Sequence, residues 1–246
     1  WNGSSWGGWI GVGAGVAEES GGWSLKDVDL TAHAGETIRI SFFHAADSPY
    51  ESTGWYIDDI RLVLKTPEFT ADFETGWEDW NTENGVWQIG TPAAGPGACY
   101  EGTQCAGTVL DGNYPVNTDS HLISAPLALP TVTGREELHL RFWNWFSYTN
   151  DDYGQVQISV WNGASWGGWI GVGIGVVDTS AGWFLKDVDL TAYAGETIRM
   201  AFFHAADSPY ESSGWYIDDI RIVVKTPQFT GDFESGWGDW IAENGI

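Results

Sequence analysis

Residues 1–86 and 161–246 are the same text at an offset of 160, identical at 66 of 86 aligned positions. The stretch SFFHAADSPYESTGWYIDDIRLVLKTPEFTADFETGW returns as AFFHAADSPYESSGWYIDDIRIVVKTPQFTGDFESGW. A fixed internal period constrains the fold before any other feature, and one of 160 residues is the size of a domain rather than of a solenoid turn. The chain therefore reads as a window on an array of near-identical domains. Lys-Thr-Pro at 65–67 and again at 225–227 marks the seam, because each follows an apolar strand and proline cannot continue a central one. This division predicts the back part of one repeat over 1–65, a complete repeat over 66–226 and the start of a third over 227–246.

The repeat unit reads as all-β. Val156, Ile158 and Val160 alternate with Gln155, Gln157 and Ser159, the pattern of a strand with one wet face. Leu138, Leu140 and Phe142 alternate with His139, Arg141 and Trp143 in the same way, as do Ile198, Met200 and Phe202 with their neighbours. Turn signals such as Asp111-Gly112, Asn162-Gly163 and Ala194-Gly195 separate the strands, and no long window has helical periodicity. The expected architecture is an antiparallel two-sheet sandwich of jelly-roll type. The 17 Trp, 9 Tyr and 11 Phe argue against a disordered acidic chain. A formal charge of −24 argues against nucleic acid as partner, since phosphate binding rests on Lys and Arg. No apolar run is long enough to cross a bilayer, so membrane insertion of this segment is not expected. Cys99 and Cys105 lie six positions apart; a disulfide outside the cell would pin a hairpin there, with two free thiols as the alternative.

Four segments recur in an order that resembles a known family. They are FTADFETGWEDW at 69–80, CAGTVLDGNYPVNTDSHLISAPLALP at 105–130, LHLRFWNWFSYTNDDYGQVQISVWNGASW at 138–166 and SGWYIDDIRIVV at 213–224. Together they are similar to the MAM-like jelly-roll modules of cleaved-adhesin domains and of the C-terminal regions of immune-inhibitor-A-type secreted metalloproteases. The resemblance implies that first and last strands lie side by side with a structural calcium between them. Carried onto this chain, the metal ligands would be Asp72 and Glu74 from the opening strand and Asp218 and Asp219 from the closing one. Asp58 and Asp59 would close the preceding repeat, and Asp232 and Glu234 would open the next. Calcium takes about six to eight oxygen ligands, which carboxylates and carbonyls supply. The alternation of YIDDI places Asp218 in phase with Ile220 and Ile222, where an unpaired carboxylate would be costly. A solvated strand end is the alternative for these acids. Asp151 and Asp152 form a candidate second cation site, or else a plain polar turn.

Other patterns mislead. GASWG at 163–167 matches a nucleophile-elbow spacing, but it follows a hairpin signal rather than preceding a helix, so no catalytic residue is expected. The tryptophans exceed what one core usually holds. Trp143 and Trp145 share a strand face with Arg141 and are the candidate ligand-binding aromatics, against the alternative that they pack in cores or between repeats. The expected function is a non-enzymatic, secreted or surface-displayed module with structural calcium, strung in tandem as an adhesive stalk, surface layer or filament. Its partners would be neighbouring repeats, identical chains or a polysaccharide. The alternatives are a carbohydrate-binding module and an accessory domain of a secreted hydrolase.

Overall fold

The computed structural model describes residues 3–17, 20, 22–46, 52–207 and 209–242. Trp1–Ile57 forms one compact unit and Asp58–Ile246 another. The larger unit is a sandwich of two antiparallel sheets. In chain order its strands are β1 (Ile60–Ala71), β2 (Asn81–Glu83), β3 (Gln88–Gly90), β4 (Cys105–Gly107), β5 (Thr118–Ile123) and β6 (Leu127–Ala128). They continue with β7 (Glu137–Ser147), β8 (Tyr153–Val160), β9 (Ile170–Gly171), β10 (Phe184–Asp189), β11 (Thr197–Ala206) and β12 (Gly214–Gly231). The first sheet runs β10-β7-β12-β4-β3, with β1 also paired to β12, and the second runs β2-β5-β11-β8-β9, with β6 paired to β11.

Period-two patterning decides which side chains enter the space between the sheets. Leu138, Leu140 and Phe142 of β7, Val156 and Ile158 of β8, and Ile198, Met200 and Phe202 of β11 all join one core. Each such burial contributes about 1.5–3 kcal/mol. The centre is aromatic. Phe202 packs edge-on against Phe142 and Trp215, and Trp87 lies 6.0 Å from Trp215. Gly154 admits this cluster, because a Cβ there would stand 2.5 Å from the Trp215 ring.

One feature departs from the sequence reading. The Lys-Thr-Pro seam does not interrupt a strand: β1 and β12 run straight through Pro67 and Pro227. The ladder tolerates each proline by an irregularity beside it, at Leu62/Val63 opposite Pro227 and at Pro67/Phe69. Prolines lacking an N–H are accommodated at such bulges and at sheet edges.

The smaller unit differs from its copy in the larger one. Residues 161–217 contribute to β9 through β12, whereas their copy at 1–57 contains no strand among the described residues. What the copies share is local. A 3₁₀ turn at Thr31–His33 matches one at Thr191–Tyr193, and Asp29 and Asp189 each accept a hydrogen bond of 2.8 Å from the N–H two residues on. The turn is closed by neighbours in sequence, but the strands need distant partners from 87–160. Phe42 is 40% exposed where Phe202 is fully buried, and Trp55 is 42% exposed where Trp215 is 1% exposed.

Phe142→Ala should destabilise the larger unit by about 3–5 kcal/mol, read as a lower urea midpoint at unchanged slope.

Candidate functional site

The acidic pairs singled out from the sequence converge on one loop. Residues 91–104 connect β3 to β4, and a disulfide joins Cys99 to Cys105 at its end. Asp218 Oδ2 accepts hydrogen bonds from the backbone N–H groups of Tyr100 (3.0 Å) and Glu101 (3.1 Å). Glu74 Oε1 accepts from the N–H groups of Thr103 and Gln104, both at 2.8 Å, and Oε2 accepts from the Thr103 hydroxyl. The Gln104 side-chain amide returns a bond to the Glu74 carbonyl at 2.7 Å. The opening and closing segments of the sandwich therefore grip the same disulfide-bridged loop from two sides. Gly102 is required at its tip, since its φ is +63° and a Cβ would lie 2.2 Å from Glu74 Oε1.

Asp218 reaches this position by a phase break that strict alternation cannot show. The β7–β12 register shifts between Asp218 and Arg221, and Asp219 takes a φ of 47°, which Asp tolerates better than most residues. Ile217 and Ile220 consequently both enter the core, while Asp218 stands opposite Trp143 on the outer face. The expectation that Asp218 shares a face with Ile220 and Ile222 is corrected. Asp218 is nonetheless only 1% exposed, because the disulfide loop covers it. Burial pushes its carboxyl up to about 6, outweighing the N–H donors of Glu101, Asp219 and Tyr100 that favour the charged form. Glu74 is held below the ordinary carboxylate range by the Gln104 and Thr103 backbone donors.

The remaining acids have local roles. Asp72 Oδ1 accepts from Glu74 N–H at 3.0 Å and closes a turn in which Phe73 has φ 61°. Asp232 and Glu234 repeat that bond at 3.1 Å. Asp219 accepts from Arg221 Nε and Asp59 from Arg61 Nε, both at 2.9 Å, while Asp58 accepts from Asp59 N–H at 2.8 Å. Asp151 and Asp152 diverge: Asp151 is exposed, whereas Asp152 is fully buried and accepts the Tyr114 hydroxyl at 2.8 Å. Among the described residues no group of three or more His, Cys, Asp or Glu side chains is placed to hold a metal ion. N–H and O–H donors fill three positions on Asp218 and three on Glu74, of about four lone-pair sites that a carboxylate offers.

Trp143 and Trp145 do lie on the outer face of the first sheet, but Tyr100 closes it. Its ring stacks on Trp143 at 3.7 Å and 11°, so the ring face expected to be open is covered by the chain's own loop. Trp183 donates from Nε1 to the Ala98 carbonyl at 3.1 Å, and Trp145 meets Tyr216 edge-on.

Two groupings escaped sequence reasoning. On the outer face of the first sheet, Asp187 of β10 accepts from His139 Nδ1 and Arg141 Nε of β7 and from Lys225 Nζ of β12. Burial alone would raise the Asp187 carboxyl, but the His139 and Lys225 hydrogen bonds hold it well below the usual range. On the outer face of the second sheet, partly buried rings form a row. Tyr153 meets Phe203, Phe203 meets His121 at 4.6 Å, and His121 stacks on Trp169 at 5.3 Å. His121 Nε2 pairs with Gln157 Oε1 at 3.1 Å, and Arg199 lies over Trp166 and Trp169. The alternation of β5, β8 and β11 signalled which residues face outward. Which of them meet across strands depends on registers that no local pattern encodes.

No family model matches the chain. A 176-residue stretch is 33% identical to part of bacillopeptidase F of Bacillus subtilis (strain 168), covering 68% of this chain and 12% of that protein. A 124-residue stretch is 32% identical to part of the pre-pro-metalloprotease PrtV of Vibrio cholerae serotype O1, covering 46% of this chain and 13% of that protein. The chain thus spans only a small fraction of the curated relatives it matches. Among solved structures it resembles the K3 cleaved adhesin domain of Lys-gingipain from Porphyromonas gingivalis w83, with 22% identity and a TM-score of 0.43. That match covers 64% of this chain and 98% of the domain. It also resembles the CBM22-1 xylan-binding domain of Paenibacillus barcinonensis Xyn10C, with 14% identity, coverage of 67% and 95%, and a TM-score of 0.41.

Buried Asp218 and partly buried Asp187 give opposite pH signatures. Asp218 has a folded-state pKa above its unfolded value, so the folded state binds the extra proton and stability falls as pH rises from about 4 through 6. Asp187 has a depressed folded-state pKa, so its contribution is present above the unfolded value near pH 4 and is lost as pH falls further. Urea midpoints across pH 3–7 should show Asp218→Asn flattening the fall between pH 4 and 6, and Asp187→Asn removing part of the loss below pH 4. A pH profile unchanged by either substitution would refute these assignments.

Proposed function

We propose that the chain is a non-catalytic, extracellular accessory module that adheres to its target through the outer face of the second sheet. The observation that carries this reading is the row Tyr153, Phe203, His121 and Trp169, partly exposed on three adjoining strands and the segment just before β9, and bordered by Gln155, Gln157 and Arg199. Flat rings beside amide and guanidinium donors suit the apolar faces and hydroxyl rims of sugar rings. The charge of −24 disfavours polyanionic glycans and leaves neutral polysaccharides as the fitting class. An extracellular setting is supported by the bridged Cys99–Cys105 loop and by sequence similarity to parts of two bacterial proteins named as peptidases.

The tandem stalk or filament role rests on the sequence repeat. The structural-calcium role of Asp72, Glu74, Asp218 and Asp219, and of Asp58, Asp59, Asp232 and Glu234, rests on the family resemblance. Calcium competes with the N–H clasp for the same lone pairs, so the two make opposite forecasts. The clasp predicts the same melting temperature in millimolar calcium and in chelator, and a fall in chelator that Glu74→Gln with Asp218→Asn abolishes would restore the cation.

Sedimentation with insoluble xylan, cellulose and mannan tests the adhesive reading. Binding to at least one is expected, weakened roughly fivefold to tenfold by Trp169→Ala or Tyr153→Ala without loss of folding. Failure to bind any of them, or variants that bind like the parent, would remove the proposed face.

A further inference from the structure

Arg199 of β11 differs from the arginines of the first sheet. Arg61, Arg141 and Arg221 each pair with a carboxylate, at 2.9 Å to Asp59, 3.1 Å to Asp187 and 2.9 Å to Asp219. Arg199 has no such partner among the described residues, and its Nε is buried without a hydrogen bond, although the chain carries 34 acidic side chains. Its contacts are aromatic instead. The guanidinium lies over the Trp166 ring at 4.4 Å and over the Trp169 ring at 5.5 Å. Attraction to the indole faces holds the cation in place without a counter-ion. The same pair recurs within the smaller unit, where Arg39 lies over Trp6 at 4.0 Å.

The surface around Arg199 is free of acids. On β8 and β11 every outward position is uncharged except Arg199 itself, from Tyr153 to Ser159 and from Thr197 to Ala205. Carboxylates enter the ladders of this sheet only on β5 and β2, where Asp119 stands opposite Ala205 and Glu83 opposite His121. Glu83 lies 3.4 Å from His121 Nδ1. The ring row therefore has a polarity. Acids border its Tyr153 and His121 end, and a cation without a carboxylate borders its Trp169 end.

The Trp166–Arg199–Trp169 group selects the chemistry it can recognise. The indoles occupy the space over the guanidinium plane, so a ligand approaches along its edge. With Nε enclosed, the Nη end is what Arg199 offers. That planar pair of donors matches the two oxygens of a carboxylate better than it matches separate hydroxyls. A densely charged glycan would meet repulsion from a net charge of −24 and from the acids at the other end of the row. An isolated carboxylate on an otherwise neutral chain escapes most of it, because exposed charges more than about 8 Å apart are largely screened at physiological salt.

Building on adhesion through the ring row, we infer that Arg199, held by Trp166 and Trp169, determines specificity on this face by taking the carboxylate of a uronic acid branch on an otherwise neutral polysaccharide. The backbone sugars lie along the rings, and the branch lies at the Arg199 end.

Isothermal titration of the full chain with glucuronoxylan, and with the same polymer after its carboxyl groups are reduced to neutral alcohols, tests the assignment. The parent should bind the carboxylated polymer about fivefold to tenfold more tightly, and the advantage should shrink as salt rises from about 20 mM to about 500 mM. Arg199→Gln should bind both polymers alike, at the parent's affinity for the reduced one, and Arg199→Lys should keep a smaller preference. Trp169→Ala should weaken binding to both, since it removes a ring of the row. Near-ultraviolet circular dichroism like the parent's shows that each variant is folded.

Equal binding of the two polymers by the parent would overturn the inference while leaving the adhesive reading in place, and that comparison needs no variant. A preference that persists in Arg199→Gln would also overturn it, as would tighter binding to polygalacturonate than to glucuronoxylan. Binding to neither polymer, nor to cellulose or mannan, would remove the adhesive reading itself and the inference with it.

Discussion

The structure depends on β12 being paired along both edges at once. One edge meets β7 over Gly214–Lys225, and the other meets β4 and then β1. A strand held on both sides satisfies its backbone groups internally and can afford an irregularity, and it has one at Asp219. That single left-handed residue lets Ile217 and Ile220 both face the core and turns Asp218 to the other side of the sheet. The acid-clasped loop, the covering of Trp143 by Tyr100 and the raised Asp218 pKa all follow from this change of phase.

The clasp joins parts of the chain that are far apart in sequence. Glu74 and Asp218 are separated by most of the sandwich, yet each takes two backbone N–H groups from the loop spanning 99–105. Bonds from neutral N–H groups to ionised carboxylates are stronger than neutral pairs, and the disulfide limits the freedom the loop must lose to make them. The Asp187 network does similar work across β10, β7 and β12, where three basic side chains surround one carboxylate. Between them these groups cover the outer face of the first sheet with the chain's own polar and aromatic side chains, and the ring row of the second sheet remains as the face turned outward.

Much of the architecture was legible beforehand. Alternation in 138–142, 155–160 and 198–202 announced strands with one apolar face, and those side chains form the core. The acidic residues of the ADFE and YIDD segments were legible as special, because carboxylates beside apolar strand residues need partners. Their partners were not legible. Backbone N–H groups belong to every residue and leave no mark in a sequence, so a clasp made of them cannot be told from a cation site. Trp143 was readable as outward-facing, but the Tyr100 ring above it arrives from a loop more than forty positions away.

The repeated halves separate the two kinds of information within one molecule. Residues 29–34 and 189–194 adopt the same capped 3₁₀ turn, because everything that closes it lies within a few residues. Residues 37–46 and 197–206 share eight of ten letters, yet only the second is a strand. By itself the sequence determined the turns, the alternation and the apolar load of each strand. Tertiary structure alone decided which strands pair and what each carboxylate holds, because a β-ladder draws its hydrogen bonds from partners that local sequence does not contain.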